Sequence, residues 1–319
     1  MKVWQFIQEK KAASIRVILL YVLESNGSSP GRQGFKMAVA EDGSFIGTIG
    51  GGIMEHKFVE LARSRLAESA GDAALFRQVH DKQAGMNQSG MICSGEQTIF
   101  LYEVQPSDLE PIARLIRSLQ ANLNGTLRLH INGISFSDEI PDTGFYFNRS
   151  ALQDSFILEE KTGYKHLLHI IGGGHCAMAL SRIMQHMDFL IHVYDEREGL
   201  NTMNDNCYAH HKTIVPAYEK LHTFIQGGNN VYVVIMTFGY RTDDIALKAL
   251  LGKTFRYIGM LGSKKKVEKM FEGYKAGNID TSILERIHAP IGVPIKSQTA
   301  DEIAVSIAAE LIAEKNKDQ

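Results

Sequence analysis

The order of apolar and polar positions divides the chain into two patterns. Up to about residue 105, short apolar runs are separated by glycine-rich polar turns. Apolar spacing predicts a short helix over Val3 to Ala12 and a strand over Ile15 to Leu23. The polar stretch Glu24 to Gly34 reads as a loop and Phe35 to Ala40 as a strand. Asp42-Gly43 has the chemistry of a two-residue hairpin turn, with a return strand over Ser44 to Ile49. Gly50-Gly51-Gly52 then opens a predicted helix from Ile53 to Glu68, and a strand at Thr98 to Val104 closes the unit. Beyond residue 106 the pattern weakens. A helix is predicted over Leu109 to Leu119; Asn122 to Gly125 and Ser135 to Thr143 read as loops or short edge strands.

From residue 166 strands and helices alternate regularly. Predicted strands are Leu167 to Ile171, Leu190 to Tyr194, Thr213 to Val215, Val231 to Met236 and Phe255 to Leu261. Apolar strands in this alternation imply a parallel sheet covered on both faces. Thr299-Ala300-Asp301-Glu302 is a capping box that starts the last helix. The expected fold class is α/β, with an N-terminal α/β domain over 1–160 and a C-terminal Rossmann-like domain over 161–319.

Composition narrows the function classes. The chain has 319 residues, a hydrophobic fraction of 44%, charged residues at 22% and a net charge of −2. That balance suits a protein with buried cores and gives no basic field for nucleic acid or anionic membrane. The start, Met1 to Lys10, lacks the apolar core of a signal peptide, and the run around Val231 to Met236 is too short to span a bilayer. Three cysteines, an odd and sparse set, argue for a reducing compartment. The expectation is a cytoplasmic protein.

Three turns carry candidate chemistry. Gly172-x-Gly174-x-x-Ala177 follows an apolar strand and opens a helix, the context in which such glycines admit a diphosphate at a helix N-terminus. Asp195 ends the next strand, placed to accept from ribose hydroxyls. His175 could contact a phosphate or simply start the helix. Gly262-Ser263-Lys264 is a second strand-to-helix turn suited to an anion, without Walker spacing; Lys265 and Lys266 read more readily as a solvated basic face. Gly50-Gly51-Gly52, followed by Glu55, is the third. Its backbone-entropy cost makes sense where a ligand or another backbone comes close.

Cys93 lies in the small-residue loop Gly90 to Gly95 and reads either as a soft ligand for a metal or as an inert filler. Cys176 reads as packed. Cys207-x-x-His210-His211 lacks a second half-site and does not read as zinc.

Together these segments resemble the XdhC/CoxI family of accessory proteins for xanthine dehydrogenase and related molybdenum hydroxylases. The N-terminal matching segments are Gly27-Ser28-Ser29-Pro30 with Gly34, Gly47 to Glu55, and Cys93-Ser94-Gly95. Further on they are Gly172 to His175, Asp195-Glu196-Arg197, Tyr257 to Lys265, Ala289 to Gly292 and Asp301 to Glu310. The resemblance implies a non-catalytic chaperone that binds molybdenum cofactor, supports exchange of a molybdenum oxo ligand for sulfido, and delivers the cofactor to an apo molybdenum hydroxylase. It also implies a homodimer and a cysteine desulfurase as a further partner. Gly50, Gly51, Gly52, Glu55, Cys93, Gly172, Gly174, His175, Asp195, Gly262, Ser263 and Lys264 are then the candidate cofactor-binding residues, with Cys93 towards molybdenum. The chain departs from the family pattern at Ser94, where Gly is usual, and at Thr237-Phe238-Gly239, where Thr-His-Asp is usual.

Two other readings remain. The Rossmann pattern alone suggests an NAD(P)-dependent oxidoreductase, with His175 and Tyr240 as proton-transfer groups by position only. A structural partner protein without ligand leaves the three glycine turns unexplained. A molybdenum hydroxylase itself is excluded by the length and by the lack of cysteine sets for iron–sulfur clusters.

Overall fold

The computed structural model describes residues 1–68, 73–79, 95–150, 155–277 and 281–318. The chain forms two compact units, Met1–Gly163 and Tyr164–Gln319.

The first unit runs α1 (Lys2–Ala12), β1 (Val17–Gly27), β2 (Lys36–Ala40), β3 (Phe45–Gly47), α2 (Gly52–Glu68), β4 (Ala74–Val79), β5 (Gly95–Glu103) and α3 (Leu109–Gln120). It then continues through β6 (Gly125–His130), β7 (Gly133–Ser137), β8 (Phe145–Arg149) and β9 (Phe156–Thr162). One antiparallel sheet has the order β3-β2-β1-β5-β4 and the other β7-β6-β9-β8. Strand β1 is apolar at successive positions because both of its faces are covered. Ile18, Leu20 and Val22 pack with Met54, Phe58 and Ala62 of α2. Leu19, Tyr21 and Leu23 pack with α1, α3 and the second sheet through Trp4, Leu115 and Leu158.

One expectation is corrected. The Asp42-Gly43 turn uses three residues, because Ala40 N–H pairs with Ser44 O and Gly43 takes φ +84. That is the longer hairpin with a left-handed glycine. Strands β6 to β9 form a four-stranded sheet that the sequence pattern did not display; the stretches read as loops or short edge strands agree with it, Asn122 to Asn124 preceding β6 and Ser135 to Ser137 lying on edge strand β7. The strands of this sheet are short and bury one face only, with Arg128 and Glu159 paired at 2.6 Å on strands β6 and β9.

The second unit runs β10 (His166–Ile171), α4 (His175–Met184), β11 (Phe189–Asp195), α5 (Asn201–Asp205), β12 (His211–Ile214), α6 (Leu221–Phe224) and β13 (Gly228–Ile235). It ends with α7 (Tyr240–Leu250), β14 (Phe255–Met260), α8 (Lys264–Ala276), α9 (Thr281–Leu284), β15 (Ile287–His288) and α10 (Ala300–Lys315). The sheet is parallel, in the order β12-β11-β10-β13-β14-β15. Counted from β10 this is 3-2-1-4-5-6, the doubly wound Rossmann order. Helices α4 and α10 cover one face with Leu180, Met184, Ile307 and Leu311. Helices α7 and α8 cover the other with Leu247, Leu250, Val267 and Met270. The capping box forms: Thr299 Oγ1 accepts from Glu302 N at 3.2 Å, and Glu302 Oε2 accepts from Thr299 N at 3.1 Å.

Candidate functional site

In the first unit, three separated glycine segments meet. Gly50, Gly51 and Gly52 all have positive φ, at +133, +77 and +68. Side chains other than glycine rarely adopt such angles, and three in a row form a turn that L-residues would strain. Glu55, one turn into α2, closes the loop. Its Oε2 accepts from Gly51 N and Ile49 N, each at 3.0 Å, and from Thr48 Oγ1 at 2.5 Å. Glu55 therefore holds the turn through that oxygen. The turn lies against the Ser29-Pro30-Gly31 loop: a Cβ on Gly50 would come within 2.7 Å of Gly31 N, and one on Gly31 within 2.0 Å of Ile49 O. Gly95 meets the same loop from β5, where an added Cβ would stand 2.6 Å from Ser29 N.

Gln97 ties these pieces together and was missed by sequence reasoning. It is 1% exposed in the middle of a strand. Its Oε1 accepts from Ser29 Oγ at 2.5 Å and from Gly31 N at 3.3 Å, while Nε2 donates to Ile49 O at 3.2 Å. A polar residue at an inward strand position was the one available signal. Cys93 lies outside the described residues.

In the second unit, the glycine turn after β10 sits where the strand order reverses, between β10 and β13. Gly172 has φ +105, and a Cβ there would lie 2.3 Å from Met236 O. The two strand ends are thus pressed together at the point where open α/β sheets hold ligands. Gly174 begins α4 with φ −75, and nothing lies within 4 Å of a Cβ built on it. His175 follows, exposed, as the first helical residue.

Asp195 is fully buried at the end of β11. Its Oδ2 accepts from Gly173 N and Arg197 Nη2, both at 2.7 Å; its Oδ1 accepts from Arg197 N and Nε, both at 2.9 Å. Burial raises its pKa, but the Arg197 guanidinium and the two backbone N–H groups outweigh this and hold the carboxyl below its usual range. The carboxylate placed by sequence for ribose hydroxyls is thus already engaged by four donors.

Within the second unit, the Gly262-Ser263-Lys264 turn is tied to the Thr237-Phe238-Gly239 turn through a partly buried ion pair. Asp243 Oδ1 accepts from Thr237 N at 2.9 Å and Oγ1 at 2.6 Å, and Lys266 Nζ reaches its Oδ2 at 2.6 Å. Asp243 supplies the carboxylate at this strand end, four positions beyond Gly239. Phe238 is 64% exposed, beneath the Arg197 guanidinium, whose carbon lies 4.9 Å from the ring centroid. Ser263 Oγ caps α8 by accepting from Lys266 N at 3.3 Å. Lys264 points to solvent, 4.0 Å from Glu268. An open surface depression of about 310 Å³ is lined by Tyr240, Ser263, Lys265, Lys266 and Lys269; Lys265 is exposed on it, in keeping with a solvated basic face. A cavity of about 250 Å³ lies near Leu250, Phe255 and Glu314, at the opposite end of β14 from the glycine turns.

Among the described residues no group of three or more His, Cys, Asp or Glu side chains is placed to hold a metal, and no helix is long and apolar enough to cross a membrane. His210 is engaged by Ile191 N at 2.9 Å and Tyr164 Oη at 2.5 Å.

Strand order and the switch-point glycines make the second unit a Rossmann-type domain. A family model described as the XdhC Rossmann domain matches residues 168–311, and one described as the XdhC and CoxI family matches residues 11–77. The chain belongs to the XdhC/CoxI family. Escherichia coli (strain K12) YqeB, itself called an uncharacterized protein, is 26% identical over 301 residues, covering 92% of this chain and 43% of that protein. A Bacillus subtilis (strain 168) protein described as a probable xanthine dehydrogenase subunit is 27% identical over 84 residues, covering 26% of this chain and 23% of that protein. The chain spans less than half the length of these curated relatives. A crystal structure of a xanthine dehydrogenase from Bacillus halodurans aligns with a TM-score of 0.72 at 22% identity, covering 100% of this chain and 97% of that one. At that identity the likeness shows the fold.

Proposed function

We propose that this chain is an accessory protein of xanthine dehydrogenase-type molybdenum hydroxylases. It binds molybdenum cofactor, supports exchange of a molybdenum oxo ligand for sulfido and delivers the cofactor to the apo-enzyme. A homodimer and a sulfur-supplying cysteine desulfurase are part of this reading. The observation that carries it is the pair of XdhC/CoxI matches, one on each unit. The class of partner comes from the xanthine dehydrogenase names of one relative and one structural neighbour.

The residues present suit the anionic part of such a ligand. Gly174 and His175 start a helix with open space before them, and Ser263 with Lys265 and Lys269 lines an open depression at another helix start. These second-unit groups would hold a phosphate; in the first unit, taken by itself, Gly50 to Gly52 would admit close approach of a ligand, and Cys93 is proposed as a soft metal ligand. When bound, the cofactor supplies the dithiolene-held metal centre that the hydroxylase uses. The protein's own contribution is to bind, orient and shelter it.

The test is transfer. Purified chain loaded in a molybdopterin-producing host is mixed with an apo-hydroxylase and activity is followed. Wild type activates the enzyme, whereas Cys93→Ala and Gly174→Asp do not; full activation by both variants overturns the site assignment.

The 3-2-1-4-5-6 strand order supports a second reading, an NAD(P)-dependent oxidoreductase. Calorimetric titration with NAD⁺ and NADP⁺ followed by a dehydrogenase screen tests it, and absence of turnover removes it.

A further inference from the structure

We propose that Arg197 sets the ligand class of the Rossmann crevice, selecting a nucleotide with a phosphate at its ribose over one with a free ribose diol. The inference rests on the crevice being a ligand site, whichever cofactor the chain delivers.

A buried acid at the end of the second Rossmann strand ordinarily accepts from ribose hydroxyls, while an arginine nearby accommodates a ribose phosphate. A carboxylate offers about four lone-pair sites. Those of Asp195 are taken by Gly173 N, Arg197 N, Arg197 Nε and Arg197 Nη2. A ribose diol would have to displace a charge-assisted, two-pronged pair to reach that carboxylate.

The same geometry equips Arg197 for an anion. Among the described residues its Nη1 donates to no acceptor, and the side chain is 37% exposed. The Phe238 ring also contacts the guanidinium, whose carbon lies 4.9 Å from the ring centroid. Arg197 follows β11 and Phe238 follows β13, whereas β10 lies between these strands. The contact therefore passes over the end of β10, where the Gly172 turn opens the crevice. A fixed guanidinium with a free edge at that place presents positive charge and N–H donors to a ligand's phosphate.

NAD⁺ and NADP⁺ differ by one ribose phosphate, so they read this property directly. Isothermal titration of the full chain is expected to show NADP⁺ binding about tenfold or more tighter than NAD⁺, the scale of one charge-assisted contact. Arg197→Gln keeps a donor for Asp195 and removes the charge; it is expected to abolish the difference, and Arg197→Lys to retain part of it. Thermal melts confirm that the variants are folded. Equal affinities in wild type, a preference for NAD⁺, binding of neither, or an undiminished NADP⁺ preference in a folded Arg197→Gln would overturn the proposal. Each of those results leaves cofactor transfer to an apo-hydroxylase to be decided by its own assay.

Discussion

The side-chain oxygen of Gln97 accepts the hydroxyl of Ser29 at 2.5 Å, joining strand β5 to a loop 68 positions earlier. Together with its bonds to Gly31 and Ile49, this one amide sets the spacing of the glycine segments in the first unit. Replacement by an apolar side chain of similar size takes the Gln97 partner from Gly31 N and Ile49 O and leaves Ser29 Oγ its 3.3 Å bond to Gly31 O. Gln97→Leu is expected to cost about 2–4 kcal/mol in urea unfolding, since each unsatisfied buried group costs ~1–3 kcal/mol and the loops relax in part. A change within error would show that the loops are held by other contacts.

Gly172 and Gly174 are separable by the same substitution. Alanine at Gly172 meets both a φ of +105 and the carbonyl oxygen of Met236. A loss of about 3 kcal/mol or more is expected, in the range reserved for backbone clash and strain. Alanine at Gly174 has an ordinary φ and open space. Its unfolding midpoint should match wild type, so a loss of ligand binding there reports on the crevice and not on the fold.

The Asp243–Lys266 pair should behave as a unit whose carboxylate is buried and whose ammonium is 26% exposed. Lys266→Met leaves a nearly buried carboxylate with only the Thr237 donors, and breaking such a pair costs roughly 3–5 kcal/mol. Lys266→Met with Asp243→Asn removes the stranded charge and is expected to recover more than half of that loss. A double variant no more stable than the single one would contradict this view of the pair.

His169, His192 and His211 stand in register across β10, β11 and β12. Burial, with the neighbouring histidine adding to it, lowers His169 and His192 from 6.5 to about 4. In the unfolded chain both take up protons near pH 6.5, and in the folded chain only near pH 4. Their contribution to stability is therefore complete above about pH 6.5 and is lost as the pH falls towards 4. The urea midpoint should drop between about pH 7.5 and pH 5, and His169→Gln should shrink that drop. An equal drop in the variant would place the acid sensitivity elsewhere.

Much of the second unit was legible because its local and tertiary signals agree. An apolar strand, Gly172-x-Gly174 and a small Ala177 specify one turn, and the Thr299–Glu302 box specifies one helix start. The roles of Glu55 and Asp195 were not legible. Both were read as facing a ligand, whereas Glu55 Oε2 holds Gly51 and both Asp195 oxygens hold Gly173 and Arg197. Sequence shows which residue has a carboxylate, and only the folded backbone shows which donors reach it first. Gln97 and Lys266 were hidden for the same reason: their partners lie 68 and 23 positions away. The second sheet of the first unit escaped because β7 and β8 are five residues each, too short to display period-two alternation clearly.

The central claim is that the chain carries molybdenum cofactor, and the most direct measurement is of what it carries. The protein is purified from a molybdopterin-producing host, weighed intact by native mass spectrometry, then denatured and oxidised so that released pterin can be read by fluorescence. The account predicts a fluorescent pterin derivative in near-stoichiometric amount and a matching mass increment, both lost in Gly174→Asp. A chain of unmodified mass that releases no pterin, from a host shown to make the cofactor, would contradict it.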